Sequence, residues 1–345
     1  MANQAAVLTQ FHGPLAIQDL PIPECQPTEV LVRVKAAATN AADWKIYEGH
    51  FPQDLPLLPG CDIVGEITEV GSSVAGFSIG DRVAGYTQQQ LIGMQSMATT
   101  GRIAPDLRHG GYQRYVPMLP RMIFKVPSSV PDETAVTFGC SFFTAAAAVF
   151  KSLDFPYPFP ANAPVEAQKV LVWGGASAVG AFAIQLLRAS HVDVTAVCSA
   201  RNFDYVRGLG ASHVIDYGAG DVVAQVKAQG LSFGVVFDAI SSQETCTACL
   251  DIAGEGGKVA NVQFLEALRR PKIDLVHTNV VDILGESDVE FLSSLVGSWI
   301  PKALSEGTVK GVRYTKYSDG LSDIDRAIRD HRDGNLAGKG VITGI

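Results

Sequence analysis

The chain has 345 residues, 47% of them apolar and 18% charged, with a formal net charge of −8. These values exclude a disordered chain and a coiled coil, and the negative charge leaves no basic surface for nucleic acid or anionic lipid. Six cysteines are too few for a disulfide framework, MANQAAVLTQF lacks a signal-peptide pattern, and no apolar run reaches the roughly 18 residues of a spanning helix. We therefore expect a cytoplasmic protein that binds neither membrane nor nucleic acid; the sequence leaves its oligomeric state open.

Residues 1–125 carry the pattern of a β-rich domain. Short alternating or apolar runs predict strands at AAVLTQF, EVLVRVKAAA, DIVGEITEVG, DRVAGY and GYQRYVPM. Residues 86–112 show no clear period, which predicts a loop or a lid. Residues 131–150 begin with a proline and two acids and continue in an alanine run, which predicts a helix. The proline-rich segment 154–164 predicts a surface connector.

From residue 169 onwards, apolar runs alternate with amphipathic segments. The predicted strands are KVLVWGG, VDVTAVC, HVIDY, GVVFDAI and GKVANV. The predicted helices between them are VGAFAIQLLRAS, NFDYVRGLG, DVVAQVKAQG and QETCTACLDIA. This alternation predicts an α/β fold, a parallel sheet with helices on both faces. The final stretch, GLSDIDRAIRDHRDGNLAGKGVITGI, predicts a helix followed by a strand.

A glycine-rich turn, WGGASAVG, lies between the first of these strands and its helix. This context is the one that a dinucleotide fingerprint requires. We expect Gly175 to permit the tight turn and Gly180 to permit close helix–strand packing, with Ser177 where the usual fingerprint has its middle glycine. The N–H groups of Ala178 and Val179 would face the pyrophosphate. The predicted contacts are thus Gly175, Ala176, Ser177, Ala178, Val179 and Gly180; the alternative is a tight turn without a ligand.

The end of the second strand distinguishes between the two nicotinamide cofactors. NAD-binding proteins usually place a carboxylate there, on the ribose 2′-hydroxyl. This chain has Ser199 and Arg201, and no acid before Asp204. A hydroxyl and a guanidinium suit a 2′-phosphate, and Tyr217 could pack on the same ribose. The sequence therefore predicts NADPH, although Arg201 could instead be a solvated residue at the start of a helix.

Several motifs together resemble the medium-chain dehydrogenase/reductase superfamily over nearly the whole chain. They are LPGCDIVGEITEVGSSV, GDRVAGY, GGYQRYV, VLVWGGASAVGAFAIQLLRAS and the closing GKGVI. The resemblance implies a GroES-like β-barrel domain plus a Rossmann doubly wound parallel-sheet domain, with the active site in the cleft between them. We expect the GroES-like catalytic domain at 1–140, the Rossmann dinucleotide-binding domain at 141–280, and a return to the catalytic domain at 281–345.

The resemblance also bears on zinc. Zinc-dependent members hold the metal with a Cys, a His in a PGHE-type turn and a second Cys, and the matching positions here are Asn40, Cys61 and Cys140. Asn is a poor zinc ligand, and 86–112 contains none of the four cysteines of the family's structural zinc lobe. We therefore expect no metal. Cys61, Asp62 and Cys140 could still gather one; otherwise the two cysteines are packing residues.

The stretch NAADWKIYEG resembles the corresponding region of quinone and enoyl reductases, and with the proline-rich insert it looks most similar to fungal trans-acting enoyl reductases. The resemblance implies hydride transfer to the C=C bond of an α,β-unsaturated carbonyl. Lys45 would stabilise the developing enolate, Asn40 would help to position the substrate, Tyr47 is a candidate proton donor, and Thr144 would contact the nicotinamide amide. For each of Lys45, Asn40 and Thr144 a purely structural role stays open.

The expected partner is a small lipophilic substrate, either free or tethered to a carrier protein. The 86–112 segment lacks charge clusters, and Trp44, Phe142 and Phe143 could line an apolar pocket, although such aromatics are more often core residues. Other functions that fit the sequence are a quinone oxidoreductase, a zinc alcohol dehydrogenase, and an NADPH-binding protein with redox-neutral turnover or none.

Overall fold

The chain leaves its first structural unit after residue 140 and returns to it from residue 284. In this computed structural model the described residues are 2–158, 168–263, 265–284 and 288–345. The first unit comprises Met1–Cys140, Leu284–Gly307 and Gly311–Ile345, and the second comprises Ser141–Ile283 and Thr308–Lys310.

The first unit is built mainly from antiparallel strands. They are β1 (Asn3–Val7), β2 (Ala16–Leu20), β3 (Val30–Ala38), β4 (Asp62–Val70), β5 (Arg82–Tyr86), β6 (Tyr115–Met118), β7 (Ile123–Lys125), β14 (Tyr314–Tyr317) and β15 (Lys339–Thr343). Strands β1 and β2 pair with each other, and the others form a seven-stranded sheet in the order β14-β15-β3-β4-β5-β7, with β6 also on β3. Each strand predicted in residues 1–125 is thus confirmed, and the closing strand completes the sheet beside β3.

The helices of this unit include four that the sequence did not reveal, at residues 41–47, 89–100, 289–294 and 300–306. Its helices are α1 (Ala41–Tyr47), α2 (Gln89–Thr100), α3 (Asp132–Ala135), α9 (Val289–Ser294), α10 (Ile300–Glu306) and α11 (Ile324–Arg332). The prediction of a loop or lid over 86–112 is wrong for α2. Only Gln89 and Gly93 are buried in α2, so an apolar period, the signal on which the prediction depended, never develops.

The predicted helix over 131–150 is interrupted. Helix α3 ends at Ala135, and α4 (Cys140–Ala147) begins five residues later and continues as π-helical turns over Ala148–Ser152. By length and composition Asp132–Ser152 would be able to cross a membrane, contrary to the sequence expectation, but 78% of its most apolar window is buried inside the protein.

The second unit contains a six-stranded parallel sheet. Its strands are β8 (Lys169–Trp173), β9 (Asp193–Cys198), β10 (His213–Asp216), β11 (Val235–Asp238), β12 (Lys258–Asn261) and β13 (Asp274–His277). Their spatial order, β10-β9-β8-β11-β12-β13, is that of a Rossmann fold. The helices are α4, α5 (Ala178–Ala189), α6 (Phe203–Leu209), α7 (Val222–Ala228) and α8 (Gln243–Ala253).

The predicted alternation is confirmed for the first five of these strands and for the four helices between them. Strand β13 escaped prediction because only four residues pair and none of them is fully buried. The predicted connector has no helix or strand at 154–158, and its remainder lies outside the described residues.

Candidate functional site

The glycine-rich turn of the second unit follows β8. Gly174 has φ +74°, and it is therefore this residue, not Gly175, that permits the tight turn. The N–H groups of Gly174 and Gly175 both donate to Val197 O, at 3.0 and 3.1 Å. A Cβ on Gly175 would approach Ala196 Cβ to 2.9 Å, so this glycine allows the turn to lie against the neighbouring strand. The assignment of the turn to Gly175 was wrong by one residue, because either glycine satisfies the sequence pattern.

Helix α5 starts directly after the turn. Ser177 is its N-cap, and the Ser177 hydroxyl accepts a hydrogen bond from Gly180 N at 3.1 Å. A Cβ on Gly180 would lie 2.3 Å from Gly174 O, so the helix packs closely on the turn. Ala178 and Val179 take the first helical positions, whose N–H groups have no intrahelical acceptor.

Residues 176–179 are only partly buried, so a ligand can reach the helix N-terminus. Amide donors and the positive end of the helix dipole suit a pyrophosphate there. The residues that this turn presents therefore fit a dinucleotide.

The structure brings two of the predicted ribose contacts to one edge of the sheet. Cys198 and Asp216 are register partners at the ends of β9 and β10, so Ser199 and Tyr217 each follow a paired residue. Tyr217 is 53% exposed. Ser199 accepts a hydrogen bond from Asn202 Nδ2 at 2.9 Å.

Arg201 lies beside this edge, exposed to solvent, and it forms no ion pair with any described residue. The carboxylate of Asp216 accepts a hydrogen bond from Gly218 N, at 2.8 Å. The edge therefore offers a hydroxyl, a phenol and a guanidinium to a ligand.

A buried polar cluster lies in the first unit, around the start of α1. Asn40 is the N-cap of α1; its N–H donates to Asp43 Oδ2 at 2.6 Å, and its Oδ1 accepts from Lys339 Nζ at 2.6 Å. Tyr112 Oη donates to the same oxygen of Asp43, at 2.9 Å. Burial raises the pKa of Asp43 to about 7, against the effect of these two donors.

Asp62, the first residue of β4, joins this cluster through both carboxylate oxygens. Cys140 N donates to Oδ1 at 2.6 Å, and the ammonium of Lys339 donates to Oδ2. Asp62 and Lys339 are both completely buried. Burial raises the pKa of Asp62, and Lys339 and the Cys140 N–H act in the opposite direction.

The close approach of Asp62 to Cys140 depends on the missing side chain of Gly139. A Cβ on Gly139 would lie 2.1 Å from Asp62 Oδ1. Gly139 lies in the break between α3 and α4. Because it has no side chain, the backbone there can approach the carboxylate of Asp62 closely.

The residues present do not fit a catalytic zinc. Asn40 accepts from an ammonium, and both oxygens of Asp62 are bonded. No group of three or more His, Cys, Asp or Glu side chains that could hold a metal is present among the described residues.

The remaining predicted catalytic residues lie in different surroundings. Lys45 on α1 is half-buried, with Nζ 5.6 Å from the centre of the Trp44 ring, and burial lowers the pKa of Lys45. Tyr47 is 8% exposed and packs in the apolar core of the first unit. Two residues along a helix correspond to about 200° of rotation, so Tyr47 points away from Lys45, and its role as a proton donor stays a prediction.

Thr144 lies on α4, in the second unit, and is partly buried. Its helix neighbours Phe142 and Phe143 are fully buried, and Phe142 packs edge-to-face on Phe182 at 5.3 Å. These two phenylalanines are therefore core residues and do not line a pocket.

Sequence reasoning missed Asp43, Tyr112 and Lys339. The partners of Lys339 are 277 and 299 residues away in the chain, so no local pattern could connect them. The one available signal was a lysine inside the otherwise apolar run GKGVI.

Comparison with known proteins agrees with this architecture. Residues 26–128 match the family model of the alcohol dehydrogenase GroES-like domain, and residues 178–307 match that of the zinc-binding dehydrogenases. The trans-enoyl reductase himH of Aspergillus japonicus is 31% identical over 319 residues, covering 91% of this chain and 89% of the relative.

Two solved structures share the fold. An alcohol dehydrogenase superfamily protein from Novosphingobium aromaticivorans is 25% identical, with a TM-score of 0.79, over 99% of this chain and 100% of that one. A mycobacterial protein, Rv1454c, solved as a complex with NADPH, is 21% identical, with a TM-score of 0.76, over 99% and 100% of the two chains.

A GroES-like unit combined with a Rossmann unit and its glycine turn defines a nicotinamide-dependent oxidoreductase. The chain belongs to the medium-chain dehydrogenase/reductase superfamily.

Proposed function

We propose that this protein is an NADPH-dependent reductase that delivers hydride to the C=C bond of an α,β-unsaturated carbonyl compound without zinc. The observation that carries the reaction type is the similarity to a trans-enoyl reductase over nine-tenths of both chains. The choice of cofactor rests on the edge formed by β9 and β10, where Ser199 and the exposed Arg201 lie in place of a carboxylate. The structural relative solved with NADPH has the same fold.

The second unit supplies the residues that would hold the cofactor, whose chemistry is hydride donation. The N–H groups of Ala178 and Val179 bind the pyrophosphate at the start of α5. Ser199 and Arg201 bind the 2′-phosphate with a hydroxyl and a guanidinium, a pairing that favours the dianion over a bare ribose. Tyr217 would pack on the ribose, and Thr144 would contact the nicotinamide amide.

In the first unit, Lys45 stabilises the negative charge that develops on the substrate during the reaction. As hydride adds to the β-carbon, negative charge develops on the carbonyl oxygen of the substrate. A cation in surroundings with little water stabilises that charge more strongly than it would in bulk solvent. The ammonium of Lys45, half-buried beside Trp44, has this property.

Lys45 also replaces Tyr47 as the proposed source of the proton. A lowered pKa makes the ammonium a stronger acid, so Lys45 Nζ can give its proton to the enolate and regain one from solvent. Asn40 acts indirectly: it caps α1, which carries Lys45, and its side chain is held by Lys339. We assign Asn40 as a positioning residue.

The proposed substrate is a lipophilic enone or enoyl thioester, free or tethered to a carrier protein. The test is oxidation of NADPH, followed at 340 nm, with simple enones, short enoyl thioesters and 1,2-quinones, each with and without a chelator, and with NADH as the competing cofactor. Chelator-insensitive reduction of enones or enoyl thioesters, with NADPH preferred, is the expected result. Turnover of quinones alone would assign a quinone oxidoreductase, and turnover abolished by the chelator would refute the zinc-free mechanism.

A further inference from the structure

Three consecutive glutamines lie at the start of α2, the helix that the sequence pattern did not reveal. Gln88 is the N-cap of α2, and Gln89 and Gln90 are its first two residues. Gln88 Nε2 donates to Glu29 Oε1 at 3.0 Å, and Gln89 Oε1 accepts from Cys61 Sγ at 3.9 Å. Gln88 and Gln89 are buried, whereas Gln90 is partly exposed. Of the three, Gln90 is therefore the one that a ligand can reach.

Gln90 lies beside two of the positions that the family pattern places at the catalytic centre. Tyr86, at the end of β5, is the register partner of Asp62, which directly follows Cys61. The N–H of Cys140 donates to the carboxylate of Asp62 at 2.6 Å. Tyr86 Oη in turn donates to Gln90 Oε1 at 2.5 Å. The phenol therefore connects Gln90 to the surroundings of Cys61 and Cys140.

The hydrogen bond from Tyr86 determines which way the Gln90 amide points. Burial raises the pKa of Tyr86 well above its usual value, and Cys140 and Cys61 act in the same direction, so the phenol keeps its proton and donates it. A glutamine amide has an acceptor oxygen on one side and an NH₂ group with two donors on the other. Because Oε1 accepts from Tyr86, Nε2 points away from the phenol, and it donates to no described residue. The described part of the protein thus leaves the N–H donors of Gln90 available to a ligand.

We propose that Gln90 is a further catalytic residue, which donates a hydrogen bond from Nε2 to the carbonyl oxygen of the substrate, and that Tyr86 positions it. This inference rests on the proposed reduction of an α,β-unsaturated carbonyl compound. As hydride forms the new C–H bond at the β-carbon, the electron pair of the C=C bond shifts towards the carbonyl oxygen, which becomes an enolate oxygen. An N–H donor held in place stabilises that oxygen more strongly than the ground-state carbonyl. Lys45 supplies positive charge and the proton for the α-carbon, and Gln90 supplies a fixed neutral donor.

The first experiment detects this hydrogen bond without turnover. The probe is 4-(dimethylamino)cinnamaldehyde, an α,β-unsaturated aldehyde whose absorption band moves to longer wavelength when its carbonyl oxygen is polarised. It is added with NADP⁺, which cannot reduce it, to the wild type, Gln90→Met, Gln90→Glu and Gln95→Ala. Gln90→Met removes the donors without adding charge, Gln90→Glu removes them and keeps an acceptor for Tyr86, and Gln95 is an exposed glutamine of the same helix. The wild type and Gln95→Ala should give equal red shifts, and both Gln90 variants should give smaller ones.

The second experiment measures reduction of an enone by NADPH. Removing one donor to a developing oxyanion usually lowers kcat by about 10²–10³-fold. Because Lys45 still stabilises the same oxygen, Gln90→Met should lower kcat at least about tenfold, with a smaller change in KM and unchanged affinity for NADPH. Tyr86→Phe should lower kcat in the wild-type background and have no further effect in the Gln90→Met background, since the phenol acts through Gln90.

A red shift in Gln90→Met as large as in the wild type would overturn the inference, as would no red shift in the wild type or equal kcat values for Gln90→Met and Gln95→Ala. A loss from Tyr86→Phe that persists in the Gln90→Met background would overturn the positioning role of Tyr86. Circular dichroism checks folding, and Gln90→Glu carries the test if Gln90→Met unfolds. A wild type that polarises the probe through Gln90 but reduces no enone would refute the proposed reaction and support the carbonyl site. Undiminished reduction of enones by Gln90→Met would do the reverse.

Discussion

Replacing Lys339 by methionine is the perturbation with the largest expected effect on stability. The substitution removes the ammonium and keeps most of the side-chain volume. Asp62 then loses the ammonium and keeps the hydrogen bond from Cys140 N, at 2.6 Å, while it stays completely buried. Asn40 Oδ1 loses its donor as well.

The magnitude follows from these two losses. Breaking a buried ion pair by removing one partner costs about 3–5 kcal/mol. The hydrogen bond to Asn40 adds about 1 kcal/mol. The free energy of unfolding of the single variant should therefore be about 4–6 kcal/mol lower than that of the wild type. The usual free energy of unfolding of a folded domain is about 5–15 kcal/mol.

The matched control is the double variant Asp62→Asn/Lys339→Met. It removes both charges, and an amide oxygen can still accept from Cys140 N. Because an uncompensated buried charge is the main cost in the single variant, the double variant should recover at least half of the loss. Urea unfolding at pH 7, followed by far-ultraviolet circular dichroism, measures the free energies of unfolding of the three proteins.

The pH dependence of Lys339→Met provides a second readout. Without its counterion, Asp62 is a carboxyl whose folded-state pKa is raised by burial alone. Such a group does not lower the free energy of unfolding at a pH below its unfolded-state pKa of about 3.9. Above that pH it lowers the free energy of unfolding increasingly as the pH rises. The variant should therefore approach the wild type near pH 4 and diverge from it towards pH 7. A loss below about 1 kcal/mol at pH 7, or equal losses in the single and double variants, would refute this account of the cluster.

Three further predictions concern the cofactor, the substrate and acid stability. Ser199→Asp should weaken NADPH binding at least about tenfold and spare or improve NADH binding, because a carboxylate repels a 2′-phosphate; equal losses for both cofactors in fluorescence titrations would contradict this. Lys45→Met should lower kcat at least about tenfold and leave NADPH affinity intact, with exposed Lys227→Met as the control; unchanged turnover would remove Lys45 from the mechanism. His331, bonded to Thr39 Oγ1 at 2.8 Å, has its pKa lowered to about 4 by burial. Wild-type stability should therefore fall by up to about 3 kcal/mol between pH 6.5 and 4, and His331→Gln should flatten that part of the urea-derived profile.

The parallel-sheet unit could be predicted from the sequence almost element by element. Its strands are short apolar runs and its helices carry one apolar face. Each element can therefore be recognised from the pattern of about ten consecutive residues. Helix α8, Gln243–Ala253, begins and ends where its segment was expected. The glycine turn was also found, although the sequence could not say which of two adjacent glycines has the positive φ.

The first unit was harder because its decisive contacts are not local. Helix α2 lacks an apolar face, and the break at Gly139 reflects a carboxylate 77 residues earlier that needs the space. The pairing of Asp62 with Lys339 joins opposite ends of the chain. The motif match drew attention to Asn40, Cys61 and Cys140, but it could not reveal that the ammonium of Lys339 bonds to Asn40 and Asp62.

The large sequence separation of Asp62 from Lys339 also affects the order in which the protein can fold during its synthesis. At about 5–20 residues per second, a ribosome needs roughly 14–55 s to add the 277 residues between them. Throughout that time the sheet of the first unit lacks β15, and the aspartate has no counterion. The six strands of the second unit, by contrast, are contiguous between Lys169 and His277 and can assemble as soon as they emerge. Synthesis therefore favours a chain in which the nucleotide-binding unit is already folded when the last strand arrives to close the other.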